Sequence, residues 1–457
     1  MTPLGYVMLP IGLACFLFSE KWLFRLVVFW TLFSASAAIN FGDAQTGSAL
    51  QVWMFFGTLW FIQRGIRGLS TLSFAIDRRI VLPCALLTLF LCIACASLVM
   101  PIFINGRLLI SSPTLGDESE AALYLTSHNF TQLLYLIFGL VMAISVAHSS
   151  LTDEERKGTE KTLLVSAIFV SLWGAYQFVC NATGIHYPDY IFNNSISPYA
   201  RGFRQMLDVG VGRISSAAVE PSVFAQSIVA VLPLTIPAWL GKGSVLSSLG
   251  DRVAAVLFVL LLVLSTSSTA FLGLAVIAIL LVTTLRKTRL LLSTRTFGVI
   301  VAAGIGTAIM VVLALALNGG AGFVFSEVLV DKAYSYSAIE RLMTVVLAFG
   351  YFKKFPLLGV GWGSVTSHDL FVYLLSNVGV IGAGVFTAAM LIVIVRNWRS
   401  LDPSKGQFNS SSFSWFLSLS VFLITSAAVD FPLVFGNFWV TLGMAMGAGW
   451  KEARRKG

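Results

Sequence analysis

Long runs of apolar residues, separated by short polar or basic stretches, are the dominant pattern of this chain. An α-helix needs about 20 mostly apolar residues to cross a bilayer, and several runs reach that length. Strands of a membrane barrel would instead alternate apolar and polar residues over about 10 positions. The pattern therefore predicts an all-α polytopic membrane protein, with residues 1–457 forming a single transmembrane helical domain.

The runs predict about 12–13 membrane-spanning helices. The first run lacks the basic segment and small-residue cleavage site of a removable signal peptide, so we predict a retained helix there. The predicted spans are residues 3–19, 22–40, 50–64, 80–101, 131–148, 162–180, 222–240, 253–266, 268–285, 297–317, 370–395, 411–428 and 431–450.

Composition supports the same class of protein. Hydrophobic residues make up 57% of the chain and charged residues 11%, whereas charged residues are roughly a quarter of an ordinary soluble domain. The composition therefore excludes an ordinary soluble domain and predicts a chain embedded in a lipid bilayer.

Basic residues fall mainly in alternate loops, which predicts the sidedness of the chain. Of the 30 Lys and Arg, 22 lie in one set of loops and 8 in the other. By the positive-inside rule the richer set is cytoplasmic, which places the C-terminus inside. The predicted outward segments are residues 41–49, 102–130, 181–221, the turn near Ser267, and 318–369.

Two of the outward segments are long, and they hold most of the outward basic residues. We treat residues 181–221 as the first large periplasmic loop and residues 318–369 as the second. Forked guanidinium groups suit the oxygens of a phosphate ligand, although solvated charges or anionic lipid headgroups also explain such residues. The basic residues concerned are Arg201, Arg204, Arg213, Lys332, Arg341, Lys353 and Lys354.

The end of the first loop reads Arg213-Ile-Ser-Ser-Ala-Ala-Val-Glu220-Pro221 and leads directly into a predicted span. Proline suits the first turn of a helix, where a backbone N–H would lack a partner anyway. Glu220 is then expected at the helix N-terminus, where the helix dipole favours a carboxylate. It could act as a simple cap, or it could pair with Arg213.

The second loop contains an apolar pattern of helical spacing from Ser337 to Lys354. This pattern predicts an amphipathic helix lying along the membrane surface, with Arg341 in its first half. Lys353 and Lys354 at its end are expected to anchor in the headgroup region.

Three alternating glycines and a histidine follow, ending at His368-Asp369 before the span at residues 370–395. Glycines allow tight turns and close approach of the backbone to a ligand or a helix. An imidazole at the mouth of a span can exchange a proton near neutral pH. A lone histidine is more often structural, so both interpretations of His368 stay open.

At these positions the chain resembles the bacterial O-antigen ligase and polymerase superfamily. One matching region runs from Ser337 to Gly382, with its serine and arginine, apolar helix, Pro-Leu-Leu-Gly-Val-Gly turn, histidine and Gly-Val-Ile-Gly span. The other runs from Arg213 to Ala225, where Glu-Pro-Ser and an aromatic residue are similar to the exopolysaccharide polymerase branch.

The resemblance implies a metal-independent, inverting glycosyl transfer at the periplasmic face of a bacterial inner membrane. The donor and acceptor would be undecaprenyl-diphosphate-linked oligosaccharides. Arg213 and Arg341 match arginines that hold the diphosphate, and His368 matches the proposed base for the acceptor hydroxyl. Glu220 is counted with these three among the catalytic candidates. Preorganised cations stabilise the charge that gathers on a leaving diphosphate. No cofactor and no nucleic acid are expected, and a chain-length regulator protein is a further expected partner.

Two departures from the family pattern affect the expected binding residues. Asp369 stands where asparagine is usual, and we include it among the substrate-binding candidates. The turn at Ser265 to Ser267 lacks the arginine that the family often has there, so Arg201 or Arg204 is expected to supply a further phosphate ligand.

Two other functions remain open from the sequence. An O-antigen ligase would transfer the same donor glycan to lipid A core, and the Glu-Pro-Ser element favours a polymerase over it. A transporter of lipid-linked oligosaccharide would be expected to show paired repeats and ionisable groups at mid-membrane, and the sequence offers little of either.

Overall fold

The computed structural model is mostly helical and describes residues 1–42, 48–71, 77–111, 120–196, 213–288, 336–401, 408–427 and 432–448. Its α-helices are α1 Pro3–Phe18, α2 Glu20–Trp30, α3 Val52–Thr71, α4 Val81–Ser97, α5 Val99–Ile104, α6 Ser127–Ser149, α7 Asp153–Thr183, α8 Pro221–Val231, α9 Ile236–Trp239, α10 Ser248–Leu264, α11 Ser268–Thr288, α12 Tyr336–Lys354, α13 Leu370–Ser400, α14 Ser410–Thr425 and α15 Gly436–Ala448. Short 3-10 helices cover Asp189–Ile191, Leu232–Thr235 and Pro432–Val434.

Polar side chains mark the starts of several helices. An oxygen of the N-cap residue accepts a hydrogen bond from a backbone N–H in the first turn, which would otherwise lack a partner. The residues that do this are Thr2, Ser19, Ser247, Asp369 and Asn409. These capping bonds mark where the helices begin.

Six helical segments in the described part of the chain are long and apolar enough to cross a membrane. They are Val81–Ile104, Ser127–Ser149, Asp153–Thr183, Pro221–Trp239, Ser268–Thr288 and Leu370–Ser400. This confirms a helical membrane protein. Other predicted spans form shorter helices, such as the 13-residue α15 within residues 431–450, and the span at residues 297–317 lies outside the described residues.

The prediction of one span over residues 22–40 is wrong, because α2 ends at Trp30. Ala37–Phe41 forms a strand, β1, that pairs antiparallel with β2, Ser48–Gln51. The Ser36 hydroxyl donates to the Phe192 carbonyl at 2.6 Å, so the polar residues after α2 bond to a neighbouring loop instead of extending the helix.

A second antiparallel pair also corrects the all-α prediction. It joins β3, Leu109–Ser111, to β4, Glu120–Ala122. Both strand pairs are short: β3 and β4 lie within the predicted outward segment 102–130, and β1 and β2 flank the predicted outward segment 41–49. The two strand pairs therefore add to the ends of a helical bundle without changing its class.

The centre of the bundle is formed by α8, α14 and α15, in which nearly all residues are buried. Polar side chains inside it bond to one another. Gln226 donates to the Ser426 hydroxyl at 2.9 Å, and Asn437 donates to the Ser227 hydroxyl at 2.8 Å. These bonds satisfy groups that would be costly to bury alone, and they hold α8 against its neighbours.

Contacts between loops sort the chain into two ends. At one end, segments of the predicted inward set contact one another. Lys21 forms an ion pair with Glu154, Arg396 donates to the Arg79 carbonyl, and Lys287 donates to the Trp398 carbonyl. At the other end, the predicted outward segments 102–130 and 318–369 meet, where the Asn129 side chain donates to the Trp362 carbonyl. The structure therefore groups the segments as the charge pattern does, and the side that each end faces remains a prediction.

Candidate active site

An ion pair joins the two predicted outward loops. Arg341 Nη2 in α12 lies 2.8 Å from Glu220 Oε2, and the two residues are 121 positions apart in the chain. Their side chains are only 23% and 17% exposed, so water screens the pair less than it screens a surface ion pair. Glu220 and Arg341, which belong to two separate sequence motifs, therefore lie in direct contact.

Glu220 occupies the N-cap position of α8, and Pro221 takes the first turn, as the sequence predicts. The carboxylate makes no side-chain cap hydrogen bond. It accepts instead from the Ser222 hydroxyl at 2.8 Å and from Arg341. The hydrogen-bonded partner of Glu220 is thus Arg341, which the sequence did not suggest, and the expected partner Arg213 interacts with the carboxylate through its charge.

Arg213 lies beside this pair and is partly buried. Its Nη2 donates to the Thr266 carbonyl at 3.3 Å, and its Nε has no hydrogen-bond partner among the described residues. Burial lowers the pKa of Arg213, the charge of Arg341 lowers it further, and Glu220 opposes both effects. Two guanidinium groups therefore share one carboxylate, which leaves an excess positive charge that suits an anion.

Buried hydrogen bonds fix the segment that carries Arg213. The Gln177 side-chain oxygen accepts from the backbone N–H groups of Ser215 and Ser216, at 3.0 and 2.7 Å. Ser216 has a φ of +54°, so this turn needs such support. Thr266, in the turn between α10 and α11, also has a positive φ of 49° and presents its carbonyl to Arg213.

His368 is held by the same helix that carries Arg341. Its Nδ1 lies 2.9 Å from the Thr344 hydroxyl oxygen, and its backbone N–H donates to that oxygen at 3.4 Å. The Thr344 hydroxyl is also 2.8 Å from the Arg341 carbonyl. A continuous set of contacts therefore links His368 to the ion pair through one turn of α12.

The predicted amphipathic helix is present as α12, and it packs against α13. Ile339, Leu342, Met343 and Val346 are exposed apolar side chains of this helix. An apolar face of this kind is expected on a helix that lies in the interfacial region of a bilayer. The placement of Arg341 beside exposed apolar groups suits a ligand with both an anionic and a lipid part.

The glycine turn before His368 packs on a break in α13. Gly379 interrupts the helix with φ +65° and ψ −172°, and the Val380 N–H bonds to the Pro356 carbonyl at 2.8 Å. Gly359 also has a positive φ, and a Cβ there would meet the Ser376 carbonyl oxygen at 2.4 Å. The structure thus shows both the turn and the close approach to a helix that the glycines predict.

Asn377 of α13 holds the loop that connects this glycine turn to His368. Its side-chain oxygen accepts from the N–H groups of Ser364 and Val365, at 3.0 and 3.2 Å, and its side-chain nitrogen donates to the Val365 carbonyl at 3.0 Å. The buried asparagine thus fixes the backbone shortly before the histidine.

Asp369 caps α13, because its Oδ1 accepts from the Val372 N–H at 2.8 Å. Burial raises the pKa of Asp369, and hydrogen bonds from the Val372 and Phe371 backbones oppose this shift. This contact gives Asp369 a role in starting the helix, and its part in substrate binding stays a prediction. Arg201, Arg204 and Lys332 lie outside the described residues.

Sequence reasoning missed the polar residues that hold the site together, namely Thr344, Gln177 and Asn377. Thr344 follows Arg341 by three positions, so helical periodicity alone places both on one face of α12. Gln177 lies within an apolar predicted span, where a polar side chain usually has a specific partner. Within the described residues, no three His, Cys, Asp or Glu side chains form a group that could hold a metal ion.

No protein-family model matches the chain, and no curated protein matches it significantly. The family resemblance of the two motifs therefore remains a prediction.

Proposed function

We propose that this chain is a membrane glycosyltransferase that polymerises a polysaccharide. It transfers an undecaprenyl-diphosphate-linked glycan onto a lipid-linked repeat unit at the periplasmic face, by an inverting and metal-independent reaction. The observation that supports this proposal is the convergence of Arg213, Glu220 and Arg341 from two distant segments, with His368 attached to the same helix.

The side chains of this site can serve each step of the proposed glycosyl transfer. A hydroxyl oxygen of the acceptor sugar attacks the anomeric carbon of the donor, and the bond from that carbon to the diphosphate oxygen breaks. The diphosphate leaves with the electron pair, and Arg213 and Arg341 stabilise its charge. His368 Nε2 takes the hydroxyl proton and later returns it to water.

Purified protein in detergent or nanodiscs, supplied with one lipid-linked repeat unit, tests the proposal. We expect a ladder of longer lipid-linked products. His368→Ala is expected to lower the rate about 10²- to 10⁴-fold, as loss of a general base does. Arg341→Lys keeps the charge but loses the two-point fork, so we expect a higher KM for the donor.

Other outcomes of the same assay contradict the polymerase. A product that forms only when lipid A core is added would identify a ligase. Movement of unmodified lipid-linked glycan across proteoliposome membranes, without a new glycosidic bond, would identify a transporter. Wild-type rates in His368→Ala would remove this residue from the reaction.

A further inference from the structure

The Thr344 hydroxyl has three neighbours and a single hydrogen. Its oxygen lies 2.8 Å from the Arg341 carbonyl oxygen, 2.9 Å from His368 Nδ1 and 3.4 Å from the His368 backbone nitrogen. A carbonyl oxygen only accepts and a backbone N–H only donates, so two of the three contacts have a fixed direction. The direction of the contact to Nδ1 depends on where the hydroxyl hydrogen points.

The contact to the Arg341 carbonyl uses the hydroxyl hydrogen. This is the common bond of a threonine to the carbonyl one helical turn earlier, and it lies within the normal O–H···O range. The Thr344 oxygen then has no hydrogen left for His368, so it accepts from an N–H at Nδ1. A neutral imidazole carries one hydrogen, which leaves Nε2 as its basic nitrogen.

We propose that Thr344 is a positioning residue that holds His368 with its hydrogen on Nδ1 and its basic lone pair on Nε2. The inference rests on the proposed function, in which Nε2 accepts the proton of the acceptor hydroxyl. The same hydroxyl bonds to the carbonyl of Arg341. Thr344 therefore fixes the orientation of the histidine relative to α12, the helix that carries the diphosphate-binding Arg341. The residue acts through His368 and Arg341 and does not itself contact the reacting atoms.

Substitutions at Thr344 test this role. Thr344→Val keeps the shape of the side chain and removes the hydroxyl, and Thr344→Ser restores it. We expect kcat of Thr344→Val to fall about 10- to 100-fold, as when a hydrogen-bond partner that orients a histidine is removed. The KM for the donor should change little, because the arginines remain. Thr344→Ser should retain most of the wild-type kcat.

Thr131→Val is the matched control. The Thr131 hydroxyl also bonds to a carbonyl of the preceding helical turn, that of Ser127, but this residue lies in α6. We expect wild-type kcat and KM in this variant. An equal loss in Thr131→Val and Thr344→Val would show that a helix-bonded threonine matters only for general stability.

A measurement without turnover separates this inference from the proposed function. In protein with ¹⁵N-labelled histidine, the ring nitrogen shifts of His368, assigned by their loss in His368→Ala, report which nitrogen carries the hydrogen. We expect the Nδ1–H form in the wild type and its loss in Thr344→Val. An Nε2–H form in the wild type would overturn the positioning role, whereas absence of polymer with the Nδ1–H form intact would overturn the proposed function alone.

Discussion

Two guanidinium groups lie near the single carboxylate of Glu220, and this imbalance of charge defines the site. Arg341 and the Ser222 hydroxyl donate to the carboxylate, and Arg213 lies partly buried beside them with a lowered pKa. Removing the carboxylate would leave two cations facing each other, a larger penalty than the loss of a surface ion pair.

A double-mutant cycle on Glu220 and Arg341 measures this coupling. We expect Glu220→Gln and Arg341→Gln each to destabilise the protein, and the double variant to lose less than the sum by about 1 kcal/mol, because adjacent partners are not additive. Thermal unfolding in detergent gives the values. The exposed pair Lys21 and Glu154 is the control, where a much smaller coupling is expected. An equal coupling energy in the two pairs would contradict the prediction that partial burial strengthens the Glu220–Arg341 ion pair.

The charged residues of the site could be selected from the sequence, but their pairing could not. Pro221 and Glu220 were predictable because helix N-termini have local rules. The choice between Arg213 and Arg341 as the partner of Glu220 depends on how two segments 121 positions apart pack together, which no local pattern contains. Thr344 carries no charge, so its role emerged only from its distance to His368.

The break in helix α13 at Gly379 is the place where the glycine turn packs against this helix. Gly379 has a φ and ψ that are essentially restricted to glycine, and a Cβ there would lie 2.1 Å from the Leu357 carbonyl oxygen. The neighbouring turn would have to move away from α13 to accept a side chain. This helix break therefore sets where the loop to His368 begins.

Gly379→Ala is expected to destabilise the protein by about 2 kcal/mol or more, since backbone strain adds to the clash with Leu357. The control is Gly384→Ala in the same helix, where a Cβ meets nothing within 4 Å. Alanine should be neutral or favourable at that position, because it is the better helix former. Melting temperatures of the purified variants check both, and equal melting temperatures would show that the break tolerates a side chain.

The helices themselves were largely predictable from apolar run length, and the errors have a physical origin. The run at residues 22–40 continues in composition beyond Trp30, but its serines bond to loop backbone and the chain becomes a strand. The length of an apolar run indicates that a segment is buried or in lipid, but it does not show which groups its backbone and serine side chains will hydrogen-bond. Strands of three to five residues at the bundle ends are similarly invisible to such a pattern.

At the scale of the whole molecule, the two ends differ in charge as well as in contacts. Inward-predicted segments carry most of the lysines and arginines, and the candidate site lies at the opposite end, among outward-predicted segments. The positive-inside rule then predicts that the site faces the periplasm. A lipid-diphosphate donor would be reached there from the outer leaflet, so the proposed reaction depends on this orientation.

Cysteine labelling tests the orientation directly. In a variant that lacks the five native cysteines, single cysteines are placed at exposed positions Ser127 and His186 at the site end, and at Lys157 and Ser244 at the other end. A membrane-impermeant maleimide should label the first two in intact spheroplasts and the last two only after lysis. Each variant must also yield full-length protein that labels completely in detergent. The reverse pattern would place the site in the cytoplasm, where a periplasmic glycan acceptor could not reach His368.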